Sequence, residues 1–270
     1  MMRRPGSAGP LTTKAAGSAS PGRAAAEAKR AIKRLARSPG DFDARRYFRG
    51  ELNIGFYNVR AKDVRRLARS IHASHKEHWD LDQAVEFADR LIHDRYLDVK
   101  SLAVEVLARY RRQFVPRLLA TWKRWLADGF AANWATTDAI CGYLIGPLIA
   151  VHPELASRMP SWSRHRSLWV RRASVVGLLP ALRKGRLSSD PVYSIAVTLH
   201  RDREDLIQKA VGWALREAGK VDPNRLERYL RKHGPVIPRT TLRYAIERMP
   251  AATRRQVLLA TRASDRRGRR

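Results

Sequence analysis

A single cysteine in 270 residues leaves no partner for a disulfide, so a cross-linked secreted scaffold and any paired-cysteine metal site are both excluded. Cys141 lies in the apolar run Ala139–Leu144 and reads as a small core residue rather than a nucleophile. No uninterrupted apolar run reaches the roughly 18 residues that a membrane span needs. The chain has no phosphate-binding Gly-x-x-x-x-Gly-Lys-Ser/Thr loop, no convincing dinucleotide fingerprint and no His-Glu-x-x-His pair. His72, His75 and His78 recur every third residue, but they sit in a charged helix whose polar face accounts for them without a metal. Neither a cofactor nor a metal is therefore expected.

Acid is the other shortage. Asp and Glu number 25 against 54 Lys and Arg, for a formal charge of +29. The basic ends do not explain this, because residues 41–261 alone keep a charge of +17. A folded region so positive calls for a polyanion, and nucleic acid is the usual one. A membrane surface is the weaker alternative, and a protein-scaffolding solenoid is a third.

Residues 1–22 are rich in Ala, Gly, Ser, Pro and Arg, without acid or periodicity, and are expected to be a disordered basic tail. They lack the apolar centre of a secretory signal. Their composition would suit a transit peptide, but a flexible DNA-seeking arm is the preferred reading. Ala24–Arg37 reads as a first helix, closed by Ser38-Pro39-Gly40. Residues 23–262 form the folded domain and 263–270 a second basic tail.

Within the domain, apolar residues keep helical spacing at Val64, Leu67, Ala68 and Ile71, at Leu102, Val106 and Leu107, and at Leu242, Ala245 and Ile246. Pro, Gly or Asp segments separate the helices at Asp94–Asp98, Asp128-Gly129, His152-Pro153, Ser188–Pro191, Val221–Pro223 and Gly234–Pro238. No set of alternating strands is evident. The segments around Ala173 and Ala210 align at a separation of 37, which pairs Arg172 with Lys209. Asp138 takes the same slot 34 residues before Arg172. Such periods suit stacked helical hairpins, so the fold expected is an all-α helical-repeat solenoid with a basic concave face. Stacking would bring Asp138, Arg172 and Lys209 to one shared face.

Trp134 and Asp138 lie four apart, one turn along a helix. A carboxylate beside an exposed indole suits a substrate that joins a cation to a π-face; a core Trp with an Asp helix cap is the plain alternative. Trp213, one turn beyond Lys209, adds a second aromatic to the same set.

Five ordered segments carry a resemblance to a known family. They are Tyr47-Phe48 with Gly55–Arg60, Trp134–Asp138, Ile145–Leu148, Leu168–Ala173 and Ile207–Glu217. Over roughly Arg45–Met249 the chain resembles the AlkD-type DNA alkylation repair glycosylases, which are built of HEAT-like repeats. The resemblance implies removal of cationic N3- or N7-alkylated purines from duplex DNA. It implies Asp138 as the catalytic carboxylate and Trp134 and Trp213 against the deoxyribose. Arg172 would hold the backbone, with Arg171 the competing match. Tyr47 matches a cleft tyrosine, with Tyr57 competing; Lys209, from its place on the shared face rather than from the resemblance, would add a further phosphate contact. The alternative is a non-catalytic module for distorted or branched DNA. A monomer is expected, in the cytoplasm, and at the nucleoid if the cell is bacterial.

Overall fold

The computed structural model describes residues 20–40, 47, 48 and 54–265. The helices are α1 (Pro21–Arg34), α2 (Ala61–His75), α3 (Leu81–Ile92), α4 (Leu97–Leu107) and α5 (Leu118–Ala127). Then come α6 (Trp134–Ile140), α7 (Gly146–Val151), α8 (Met159–Trp162), α9 (Leu168–Val176) and α10 (Leu179–Arg183). The last five are α11 (Asp190–Leu199), α12 (Asp205–Val221), α13 (Pro223–His233), α14 (Arg239–Ala245) and α15 (Ala251–Asp265). Among the described residues there is no strand, only an isolated parallel bridge between Gly55 and Tyr96.

The helices form two layers. Helices α2, α4, α6, α9, α12 and α14 pack in that succession and make the inner layer. They begin at Ala61, Leu97, Trp134, Leu168, Asp205 and Arg239, which are 36, 37, 34, 37 and 34 residues apart. The outer layer includes the pairs α1·α3, α8·α11 and α13·α15. The all-α helical-repeat solenoid is thus the observed architecture. Each helix buries one apolar stripe that it cannot bury alone, so stacking supplies the core. In α12 the stripe is Ile207, Ala210, Val211, Ala214, Leu215 and Ala218, all of them fully buried. Burying an aliphatic side chain of this kind contributes roughly 1.5–3 kcal/mol.

Polar groups tie one repeat to the next. Arg117 pairs with Asp82, Arg225 with Asp190 and Arg183 with Glu217, at separations of 35, 35 and 34 residues. The buried Lys100 donates to the Ile92 carbonyl at 2.7 Å and to the Phe130 carbonyl at 2.5 Å. Burial pushes its ammonium down to about 8.

Several boundaries differ from the expected ones. Ser20 caps α1 and Pro21 opens it, because proline's missing N–H costs nothing in a first turn. The N-terminal tail therefore ends at least two residues earlier than 22; residues 1–19 lie outside the described part. Helix α15 carries the fold to Asp265, into the expected C-terminal tail, and residues 266–270 lie outside. The stretch Trp134–Val151 is helical throughout, and over 18 residues its mean hydropathy of 1.3 passes for a membrane-crossing segment. Scanning for uninterrupted apolar runs missed it because Thr136, Thr137 and Asp138 interrupt the run. Half of it is buried inside the fold, where it serves as a core helix.

Candidate functional site

Three inner helices, α6, α9 and α12, supply the centre of a cleft of about 770 Å³. Its lining includes Tyr47, Trp134, Asp138, Arg172, Lys209, Trp213, Arg216 and Tyr244. Six of the eight residues singled out from the sequence therefore meet at one place.

Helix α6 is fixed at its first turn. The Asn133 side chain accepts from the Thr136 backbone N–H at 2.7 Å, and the Thr137 hydroxyl donates to the Ala131 carbonyl at 3.0 Å. The helix cap is thus Asn133, and Asp138 projects into the cleft with its side chain 21% exposed. The Trp134 indole N–H donates to the Tyr47 carbonyl at 3.1 Å, and Phe48 stacks on the indole at 5.2 Å. One indole face is covered in this way and its edge remains in the cleft. Tyr47 is 61% exposed at the rim.

Asp138 and Arg172 form a two-pronged pair. Nε donates to one carboxylate oxygen and Nη2 to the other, both at 2.8 Å. Nη1 donates to the Leu206 carbonyl on α12 at 2.5 Å. The Arg172 side chain is only 7% exposed. A planar guanidinium locked on three points holds the carboxylate in one orientation. Each carboxylate oxygen keeps acceptor capacity toward the cleft. Burial raises the nearby Cys141 thiol well above its ordinary value, and Asp138 raises it further, so it is no nucleophile at neutral pH.

On the opposite wall Lys209 pairs with Asp205 at 2.6 Å while staying part-exposed. Its hydrogen bond to Asp205 raises the ammonium above its ordinary value. Trp213 is half-buried, with the Arg183 guanidinium 5.4 Å from its ring centre. Arg183 is held in turn by Glu217 at 2.9 Å. Burial alone would raise the Glu217 carboxyl; hydrogen bonds from Arg183 and Lys220 outweigh it and hold it below its ordinary value.

Two candidates lie elsewhere. Arg171 turns away, with Nε on Asp202 at 2.7 Å and Nη1 on the carbonyls of His165 and Arg166. Tyr57 stacks on Tyr96 at 3.8 Å, and its backbone N–H donates to Asp98. Asp98 also accepts from Val59, so the Gly55–Arg60 motif is a strap clamped onto α4. Among the described residues no cluster of three His, Cys, Asp or Glu could hold a metal. His75 stacks on Trp79, and His72 meets Tyr110 edge-on.

Sequence reasoning missed Tyr244 and the acids Glu204 and Asp205 on the cleft wall, and it included Arg216 in the Ile207–Glu217 segment without giving it a role. Tyr244 sits 35 residues after Lys209, one repeat on, so the periodicity carried a signal for it. Phe48 was quoted only as part of a motif, and its stacking on Trp134 crosses too many residues to read.

The inner face of this two-layer helical repeat thus gathers a carboxylate, two indoles and several cations in one cleft. The chain belongs to the DNA alkylation repair enzyme family, whose family model matches residues 29–249. Membership assigns it to DNA alkylation repair, with DNA as the partner. Among solved structures it is similar to a predicted DNA alkylation repair enzyme from Enterococcus faecalis, with a TM-score of 0.67 and 16% identity. That likeness covers 80% of this chain and 98% of the other, and it establishes the shared fold. No curated protein matches the chain.

Proposed function

We propose that the protein is a monofunctional DNA glycosylase that hydrolyses the N-glycosidic bond of cationic N3- or N7-alkylated purines in duplex DNA, leaving an abasic site for base excision repair. The observation that carries this reading is the Asp138 carboxylate, held rigidly and open to a cleft between two half-buried indoles.

The chemistry fits those groups. An N-alkylated purine is positively charged, so its bond to C1′ breaks with both electrons passing to the base, which leaves neutral. Water then adds its oxygen to C1′ and releases a proton to solvent. Positive charge develops on the sugar, where a fixed carboxylate stabilises it. The indoles add cation–π attraction. No acid is needed at the leaving group and no lysine nucleophile at the sugar, so one carboxylate suffices. Lys209 and Tyr47 are assigned to the DNA backbone beside the lesion. Arg172 is assigned first to orienting Asp138, because its donors are engaged; a phosphate contact would require one of them to swing free. Arg171 and Tyr57 are assigned structural roles.

One observation favours a second reading, a DNA-binding module without excision: the Asp138–Arg172 pair resembles the inter-repeat ion pairs found elsewhere in the solenoid. Base release from a duplex with one N7-methylguanine separates the two. Wild type should release the base and leave an alkali-labile site. Asp138→Asn should lower release by about 100-fold or more, a loss of roughly 3 kcal/mol of transition-state stabilisation, while affinity for the duplex stays within a few-fold. Failure of wild type on both N3 and N7 adducts, with tight binding retained, would transfer the assignment to the binding module.

A further inference from the structure

Helix α2 carries cationic charge that the cleft does not use. Lys62, Arg65 and Arg69 fall at i, i+3 and i+7, a single helical face, and all three are exposed. The carboxylates around them are already engaged. Buried Asp63 faces Arg37, Arg60 and Arg66, and Glu105 lies 3.9 Å from Arg109. Among the described residues Lys62, Arg65 and Arg69 have no acid partner. Arg109 reaches into the same face, where its Nη2 meets the Arg65 carbonyl at 3.5 Å. Burial depresses the Arg109 guanidinium, opposed by Glu105 and reinforced by the nearby Arg69 and Arg111.

This face adjoins the cleft. Arg65 lines a shallow apolar trough of about 220 Å³ together with Ala139 and Tyr143, and Ala139 directly follows Asp138. Helices α2, α4 and α6 are successive members of the inner layer. At roughly 8–10 Å per helix spacing, α2 lies about 16–20 Å from α6. At 3.4 Å per base pair, that offset is about five base pairs along a duplex.

The geometry points to α2 as a second DNA contact, in which Lys62, Arg65 and Arg69 grip the phosphodiester backbone of the duplex flank some five base pairs from the lesion. The inference rests on the DNA-repair reading for its partner, but not on catalysis. Exposed cations spaced along one helix face, away from the cleft assigned to the lesion, fit contacts to phosphate, which position a duplex without specifying its sequence. An anionic membrane surface would also attract such a stripe. The duplex is favoured because the stripe shares its side of the inner layer with the cleft.

The test is the salt dependence of binding to an unmodified duplex, for wild type, for Asp138→Asn, and for a triple variant Lys62→Gln, Arg65→Gln, Arg69→Gln. Each phosphate contact contributes about 0.9 to the slope of log affinity against log salt. The triple variant should lose about 2–3 from that slope, and Asp138→Asn should lose nothing. A triple variant with an unchanged unfolding midpoint and an unchanged slope overturns the inference while leaving the DNA reading intact. If wild type itself fails to bind duplex, the DNA reading falls and the inference with it. Binding to phosphatidylserine vesicles that the triple variant loses while keeping its duplex slope also overturns it, in favour of a membrane surface.

Discussion

At the scale of single residues, the central question is what Arg172 does. From the sequence it is one of two adjacent arginines, either of which could hold a phosphate. The fold separates them: Arg171 is tied to Asp202, and Arg172 is buried against Asp138. A lysine at position 172 keeps the charge but loses the planar fork that fixes both carboxylate oxygens. Arg172→Lys should therefore lower base release at least about tenfold, roughly 1.4 kcal/mol, while the Kd for intact duplex moves less than about threefold. Equilibrium binding and single-turnover release on the same duplex check this. A fall in affinity equal to the fall in release would instead put Arg172 on the backbone. The Asp138–Arg172–Lys209 register was legible because a repeat of 34 to 37 residues stacks equivalent positions side by side. The choice between Arg171 and Arg172 was not, since it depends on where Asp202 falls after the turn that follows α11. The cover over Trp134 was equally illegible, because the Trp134 indole bonds to Tyr47 across 87 residues.

Among the helices, the repeat succeeds where neighbouring backbones approach closely, and glycine marks those places. A Cβ on Gly212 would lie 2.4 Å from Tyr244 Cβ and 2.6 Å from the Thr241 carbonyl, both on α14. Helix propensity alone predicts that Gly212→Ala stabilises by about 1 kcal/mol. The clash opposes it, because a backbone carbonyl cannot step aside, and overpacking costs about 1–3 kcal/mol. The clash should win, so Gly212→Ala should lower the urea midpoint; base release should fall with it as α14 carries Tyr244 out of the cleft wall. Gly142, with open space where its Cβ would sit, is the control: Gly142→Ala should be neutral or stabilise by up to about 1 kcal/mol. A rise in midpoint for both variants would show that propensity, not packing, governs these sites. Most helices were legible from apolar spacing and turn residues. The continuous run through Gly146-Pro147 was harder to foresee, since that dipeptide ordinarily breaks a helix. A π-turn at Cys141–Ile145, in which the Gly146 N–H reaches back to the Cys141 carbonyl, lets the helix continue past the proline.

Over the whole molecule, two electrostatic effects compete, and salt acts on them in opposite senses. The ion pairs that link repeats are mostly part-exposed, and each such pair contributes about 0–1 kcal/mol, which screening removes. Against them stands a net charge of +29, whose self-repulsion strains the compact state and is also screened. With 54 cations against 25 acids, more than half the positive charge is left unbalanced by negative charge, so repulsion should outweigh the pairs. Raising sodium chloride from about 50 to 500 mM, which shortens the screening length from well above 10 Å to a few ångströms, should therefore raise the Tm of the free protein. The same salt should weaken duplex binding steeply, because the cations that repel one another are those that release counterions from DNA. Added duplex at low salt should raise the Tm as well, since phosphate neutralises the same charge and binding favours the folded state. Thermal unfolding with and without duplex across the salt series tests both together. A Tm that falls with salt in the free protein would mean that the inter-repeat pairs dominate. The basic surface would then be balanced within the fold rather than held in tension for a polyanion.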